Sequence, residues 1–156
     1  MKDRAGGILI ENGKLLLIHR IKNNDEYYVI PGGGIEEGED IYEATQRELY
    51  EEVGINICLL NNKPLIVLKG KERIQYFILI KRERGIIGTG NGPEYTNNNY
   101  NLNGTYIPEM VNIIDIVDGK INMVPDVVKN ELINIIKSLN KNVAFLNSND
   151  FLGFIK

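Results

Sequence analysis

The sequence predicts an α+β domain, a β-sheet carrying two helices, and three observations lead there. Runs rich in β-branched and aromatic residues, broken by turn signals, fill much of the first 82 residues. Asp40 to Val53 carries good helix formers with no internal Gly or Pro. Pro125 to Leu139 repeats apolar residues at helical spacing. A chain of 156 residues is long enough to bury one core and short for two, so a single domain over 1–156 is expected.

Taken in order, Ala5 to Glu11 and Lys14 to Arg20 are two strands joined by Asn12-Gly13, the strongest short hairpin signal a sequence offers. A polar break at Lys22 to Glu26 precedes a short strand, Tyr27 to Ile30, which Pro31 and the glycines are expected to stop. The helix from Asp40 to Val53 meets Gly54 where a helix C-terminus favours glycine. Strands follow at Ile55 to Leu60, Leu65 to Lys69 and Arg73 to Arg82, the last reading as central sheet. Gly85 to Gly104, rich in Gly and Asn, reads as a long irregular loop. A further strand is expected at Met110 to Val117. In the late helix Val127, Val128, Leu132, Ile135, Ile136 and Leu139 form the apolar stripe. The tail from Asn140 to Lys156 has an apolar cluster suited to the core or to a second copy of the chain, so a homodimer is a possible partner state.

Composition narrows the function. Hydrophobic residues at 43% and charged residues at 25% are ordinary for a globular protein. A formal charge of -3 makes nucleic acid an unlikely main partner, since proteins that bind it present a basic face. Cys58 is the sole cysteine, so no internal disulfide forms and a reducing cytoplasm fits. The N-terminal apolar runs are broken by Glu11, Asn12 and Lys14, and no membrane span is expected.

Chemistry concentrates in the first helix. At about 100° per residue, Glu48, Glu51 and Glu52 fall within about 80° of Ile41, on the side shared with Ala44. A solvated charged face would point its carboxylates the other way. Two like charges about 6 Å apart repel by roughly 3 kcal/mol at an effective dielectric near 20, and burial adds to the cost. Carboxylate oxygens suit Mg²⁺ or Mn²⁺, which would relieve it. The glycines before the helix allow backbone to come close to a ligand.

Gly33, Glu39, Arg47, Glu48, Leu49, Glu51, Glu52, Gly54 and Ile55 fill, without a gap, a pattern that resembles the Nudix box: Gly, five residues, Glu, seven residues, then Arg-Glu-apolar-x-Glu-Glu-x-Gly-apolar. The resemblance implies an α/β/α sandwich around a central mixed β-sheet. It also implies a metal-dependent pyrophosphohydrolase that cleaves a nucleoside diphosphate derivative such as a nucleoside triphosphate, nucleotide sugar, ADP-ribose or dinucleoside polyphosphate. By that resemblance Glu48, Glu51, Glu52 and the carbonyl of Gly32 are metal ligands for Mg²⁺ or Mn²⁺. Glu48 is the first choice of general base, with Arg47 orienting a carboxylate and Glu39 supporting Arg47. The other reading is a module of the same fold that senses a nucleotide without turning it over.

Around this box, Arg20 is either a phosphate-binding fork, as in related enzymes, or a surface arginine closing a strand. His19, on the opposite face of that strand, reads as structural. Tyr28, where many relatives carry tryptophan, either packs on the core or stacks on a base. In the long loop Glu94 is the first choice for an additional carboxylate, with Glu83 and Glu109 competing. Tyr95, Tyr100 and Tyr106 are candidates to shape a substrate pocket.

Overall fold

A computed structural model describes residues 1–90 and 104–139 of the chain. Strand β1 (Arg4–Glu11) turns at Asn12-Gly13, both in the left-handed region, into β2 (Lys14–Lys22). The polar break that follows is a second tight turn: Asn23 and Asn24 take φ of 52° and 70°, and β3 (Asp25–Val29) pairs back on β2. Asparagine tolerates this conformation better than other side chains, so the hairpin closes without glycine.

Gly32–Gly34 departs from the expectation that the glycines only end a strand. These residues form β4, antiparallel to β1 in the register Arg4↔Gly34 and Gly6↔Gly32. Helix α1 (Ile41–Val53) begins at a reciprocal capping box. The Glu43 N–H donates to Asp40 at 2.7 Å and the Asp40 N–H to Glu43 at 3.1 Å. It ends at Gly54, whose φ of 90° lets its N–H reach the carbonyls of Leu49 and Tyr50.

β5 (Ile55–Leu59), β6 (Ile66–Lys69) and β7 (Ile74–Gly85) follow, then β8 (Ile107–Asn112). The strand expected at Met110 to Val117 is corrected here. The strand starts earlier and stops at Asn112, whose side chain accepts the Ile114 N–H at 3.1 Å and caps a short helix, α2 (Ile113–Val117). Ile113 and Ile116, both buried, suit a helix with that spacing. The chain then forms α3 (Asp126–Leu139), in which Val128, Leu132 and Ile136 are buried while Val127, expected in the stripe, is 61% exposed.

The strands run in the order β3-β2-β1-β7-β5, with β4 on β1, β6 on β7 and β8 on β2. β1 and β7 are parallel and the other pairs antiparallel, so the sheet is mixed. Alternation along the strands sorts the core into two layers. Ile8, Ile10, Leu15, Leu17 and Leu79 pack with Val128, Leu132 and Ile136 of α3. Leu9, Leu16, Ile18, Ile78 and Ile80 pack with Leu49 and Val53 of α1. Burial on both faces explains why β2 reads as an unbroken apolar run. The result is the expected α/β/α sandwich. Among the described residues no helix is long and apolar enough to cross a membrane.

Candidate active site

The α1 face of the sheet carries an open cavity of about 370 Å³. Gly32, Glu48 and Glu52 line it together with Arg4, Arg20, Tyr27 and Tyr106. Glu52 is only 7% exposed and accepts the Gly32 N–H at 3.0 Å. This bond joins the last turn of α1 to β4, so the helix and the glycine strand meet at a buried carboxylate. Glu48, one turn earlier, lies against Gly33, where any Cβ would run into its carboxylate.

Arg47 organises the approach to α1. Its Nε and Nη2 form a fork on Glu39 at 2.8 and 2.9 Å, Nη2 also donates to the Gly34 carbonyl at 3.0 Å, and Nη1 donates to Glu48 at 2.9 Å. Glu51 stands 3.5 Å from the same Nη1 and is the most exposed of the three glutamates. The three acids expected on one side therefore grade from buried Glu52 through Glu48 to the rim at Glu51. Among the described residues no three Asp, Glu, His or Cys side chains are gathered into a ready cation cage. Glu48 and Glu51 lean on Arg47 instead, and Glu52 on the Gly32 amide.

Burial pushes the Glu48 carboxyl above its usual range, against the opposing pull of Arg47. Glu39 moves the other way, to about 2, chiefly through its hydrogen bonds from Arg47. A carboxyl that ionises near 4.5 unfolded and near 2 folded stabilises the native state fully above about pH 4.5, and that contribution fades as pH falls toward 2. Thermal melts of the parent and Glu39→Gln are expected to differ most above pH 5 and to converge as pH approaches 2. A gap independent of pH would contradict the pairing.

Of the two roles weighed for Tyr28, the geometry fits packing on the core. Tyr28 does not line the cavity. Its ring stacks on His19, with centroids 4.3 Å apart, on the face opposite the cavity. The residue that lines it is Tyr27, the cross-strand partner of Arg20. Arg20 does reach the cavity, with its guanidinium 3.8 Å from the centroid of Tyr106 and 5.8 Å from that of Tyr27. Its Nε donates to the Thr105 carbonyl at 3.3 Å.

His19 is structural, as expected: Nδ1 is 2.8 Å from Glu109, and Nε2 is 3.1 Å from Glu26 without hydrogen-bond alignment. This removes Glu109 from the competition for an extra carboxylate at the cavity, and Glu83 is exposed on β7. Glu94, Tyr95 and Tyr100 lie outside the described residues.

Arg4, like Tyr27, is a residue that sequence reasoning missed. Its Nη2 donates to the Gly32 carbonyl at 3.1 Å. Burial lowers its pKa, while Glu52 and Glu48 counter that shift. Only the pairing of β1 with β4 brings it there, and nothing in three glycines announces that pairing.

Residues 1–97 match the family model described as the NUDIX domain. The chain belongs to the Nudix family. A protein named RNA pyrophosphohydrolase from Sphingopyxis alaskensis is 35% identical over 74 residues, 46% of this chain and 44% of that one. One of the same name from Rhizobium meliloti is 43% identical over 68 residues, 37% of this chain and 41% of its own. The chain thus spans less than half the length of these curated relatives. Among solved structures, a MutT from work on Aliivibrio salmonicida and Vibrio cholerae superposes with a TM-score of 0.62 at 19% identity, covering 85% of this chain and 97% of that one. A Nudix hydrolase from Clostridium perfringens also gives 0.62, at 18% identity, covering 86% and 97%. The Nudix sandwich is therefore the fold of this chain, and its box runs from β4 through α1 to the first residue of β5.

Proposed function

We propose that this Nudix protein is a metal-dependent pyrophosphohydrolase that cleaves a phosphoanhydride of a nucleoside diphosphate derivative with an activated water. The observation that carries the reading is Glu52, a buried carboxylate held at Gly32 between the cavity and α1 with Glu48 beside it. Buried acids this close are costly unless something cationic meets them. The donor set is entirely oxygen: Glu48, Glu51, Glu52 and the Gly32 carbonyl. It fits a hard divalent ion, Mg²⁺ or Mn²⁺, completed by water and substrate phosphate. Such an ion, when bound, neutralises diphosphate charge and lowers the pKa of an attacking water.

The chain's own residues do the rest. Glu48 is the proposed base, with Arg47 fixing one of its oxygens and Glu39 fixing Arg47. Glu94 is retained as a proposed further carboxylate. Arg20, which lines the same cavity, offers a planar fork to phosphate. Tyr27 and Tyr106, both beside Arg20, supply aromatic faces on which a nucleobase can stack.

Tyr27→Ala is therefore expected to raise KM for the nucleotide substrate about ten-fold with little loss of Tm. Tyr28→Ala is expected to leave KM near the parent value and lower Tm, because it removes the ring stacked on His19. Steady-state kinetics beside thermal melts separate the two, and equal KM effects would overturn the assignment of faces.

The names of the curated relatives favour a second reading of the same bond, in which the diphosphate is the 5′ end of an RNA. A cavity of about 370 Å³ suits the terminal nucleotide rather than a long oligonucleotide, and the net charge of -3 offers little extended attraction. The test is incubation with Mg²⁺ and a panel: a nucleoside triphosphate, a nucleotide sugar, ADP-ribose, a dinucleoside polyphosphate and a 5′-triphosphorylated oligoribonucleotide, with products resolved by chromatography. Cleavage of a phosphoanhydride in at least one is expected. Metal-dependent nucleotide binding with no turnover on any would favour the sensing module instead.

A further inference from the structure

Arg4 and a divalent ion need the same oxygen. Its Nη2 donates to the Gly32 carbonyl at 3.1 Å, the carbonyl proposed above as a metal ligand, and Glu52 and Glu48, which line the same cavity, act on its guanidinium as opposing negative charge. The Gly32 N–H donates to Glu52 at 3.0 Å, so one peptide segment is bonded from its carbonyl to Arg4 and from its amide to the acid. Arg4 is anchored for this by register: it opens β1 directly opposite Gly34, and its side chain shares the cavity wall with Arg20. Three of the surroundings of Arg4, the carbonyl and two carboxylates, are thus the groups that would receive a cation.

Two positive charges at one oxygen repel, and at low effective dielectric the repulsion is strong. That repulsion favours movement of the guanidinium away from the carbonyl as the ion arrives. The nearest anion available to it at that moment is substrate phosphate in the same cavity, for which its fork is the right shape.

We infer that Arg4 is a built-in counter-ion of the acid site, which competes with the divalent cation for Gly32, Glu48 and Glu52 and is handed to the substrate diphosphate when the cation binds. The inference rests on the proposed metal site. It makes metal and substrate binding cooperative, because each removes the cost of the other. It also gives Arg4→Gln opposite signs on two measurements, which loss of folding does not.

The test uses the whole chain and Mn²⁺ alone, titrated by electron paramagnetic resonance, with KM measured separately on the substrate cleaved best in the panel. Arg4→Gln is expected to tighten Mn²⁺ binding by about ten-fold, roughly 1.4 kcal/mol, while KM rises by a similar factor. If Arg4→Gln does not fold, Arg4→Met replaces it; methionine removes both charge and fork while keeping much of the stem's volume, and the same two signs are expected. Unchanged or weaker Mn²⁺ binding, or an unchanged KM, overturns the counter-ion role. Glu52→Gln in the same titration keeps the two ideas apart. Mn²⁺ binding lost in Glu52→Gln but indifferent to Arg4 sinks only the counter-ion, whereas Mn²⁺ binding indifferent to Glu52→Gln sinks the metal site beneath it.

Discussion

Glu52→Gln is expected to lower kcat by about 10²-fold or more while leaving the protein folded. The amide keeps the size of the carboxylate and its carbonyl still accepts the Gly32 N–H, so the junction between α1 and β4 survives. What disappears is a charge at a site only 7% exposed. Without metal, the desolvation relieved at Glu52 is offset by loss of the charge that faces buried Arg4, so the Tm of the metal-free variant is expected to stay close to that of the parent. With metal the two part. A ligand that binds only the folded state stabilises it by RT ln(1 + [L]/Kd), so the parent gains Tm on adding Mg²⁺ and the variant gains little. Calorimetry with and without Mg²⁺, beside turnover, checks both halves.

Arg47→Met should be the more damaging change to the fold. One side chain holds Glu39 by a fork, Glu48 by Nη1 and the Gly34 carbonyl by Nη2. Methionine fills much of the stem's volume but leaves Glu39 and Glu48, both largely shielded from water, without their cation. Stranding partly buried partners costs about 2–3 kcal/mol, or roughly 5–10 °C in Tm for a chain of this size. Activity is expected to fall further than stability explains, by at least about 10²-fold, because the loop from β4 to α1 and the Glu48 carboxylate lose their common anchor. Thermal melts and kcat on folded protein separate the two effects. A variant with parental kcat would show that Arg47 is only structural.

Much of this site is legible in the sequence because it lies on one helix. The run from Asp40 to Val53 announces α1, Gly54 its end, and the 3.6-residue repeat turns Glu48, Glu51 and Glu52 toward the apolar side. Local patterns of this kind depend on few partners. The grading of exposure from Glu52 to Glu51 depends on β4 and Arg47, and helical angles alone do not contain it.

What the sequence hides is set by pairing between distant strands. Three glycines have little β-propensity, so β4 exists only because β1 offers it an edge, and with it comes Arg4 at Gly32. Tyr27 was within reach. Asn23-Asn24 as a two-residue turn sets Arg20 opposite Tyr27 and His19 opposite Tyr28, sorting the two tyrosines onto opposite faces. The switch from β8 to α2 turns on one side chain, Asn112, in a run whose isoleucines and valines suit a strand equally well.

The most direct test of the central claim is turnover of the preferred substrate before and after chelation. With EDTA in excess of all divalent ions, hydrolysis is expected to stop, and returning Mg²⁺ or Mn²⁺ is expected to restore it in the parent. Phosphoanhydride cleavage that continues undiminished in EDTA would contradict a metal held by Glu48, Glu51 and Glu52.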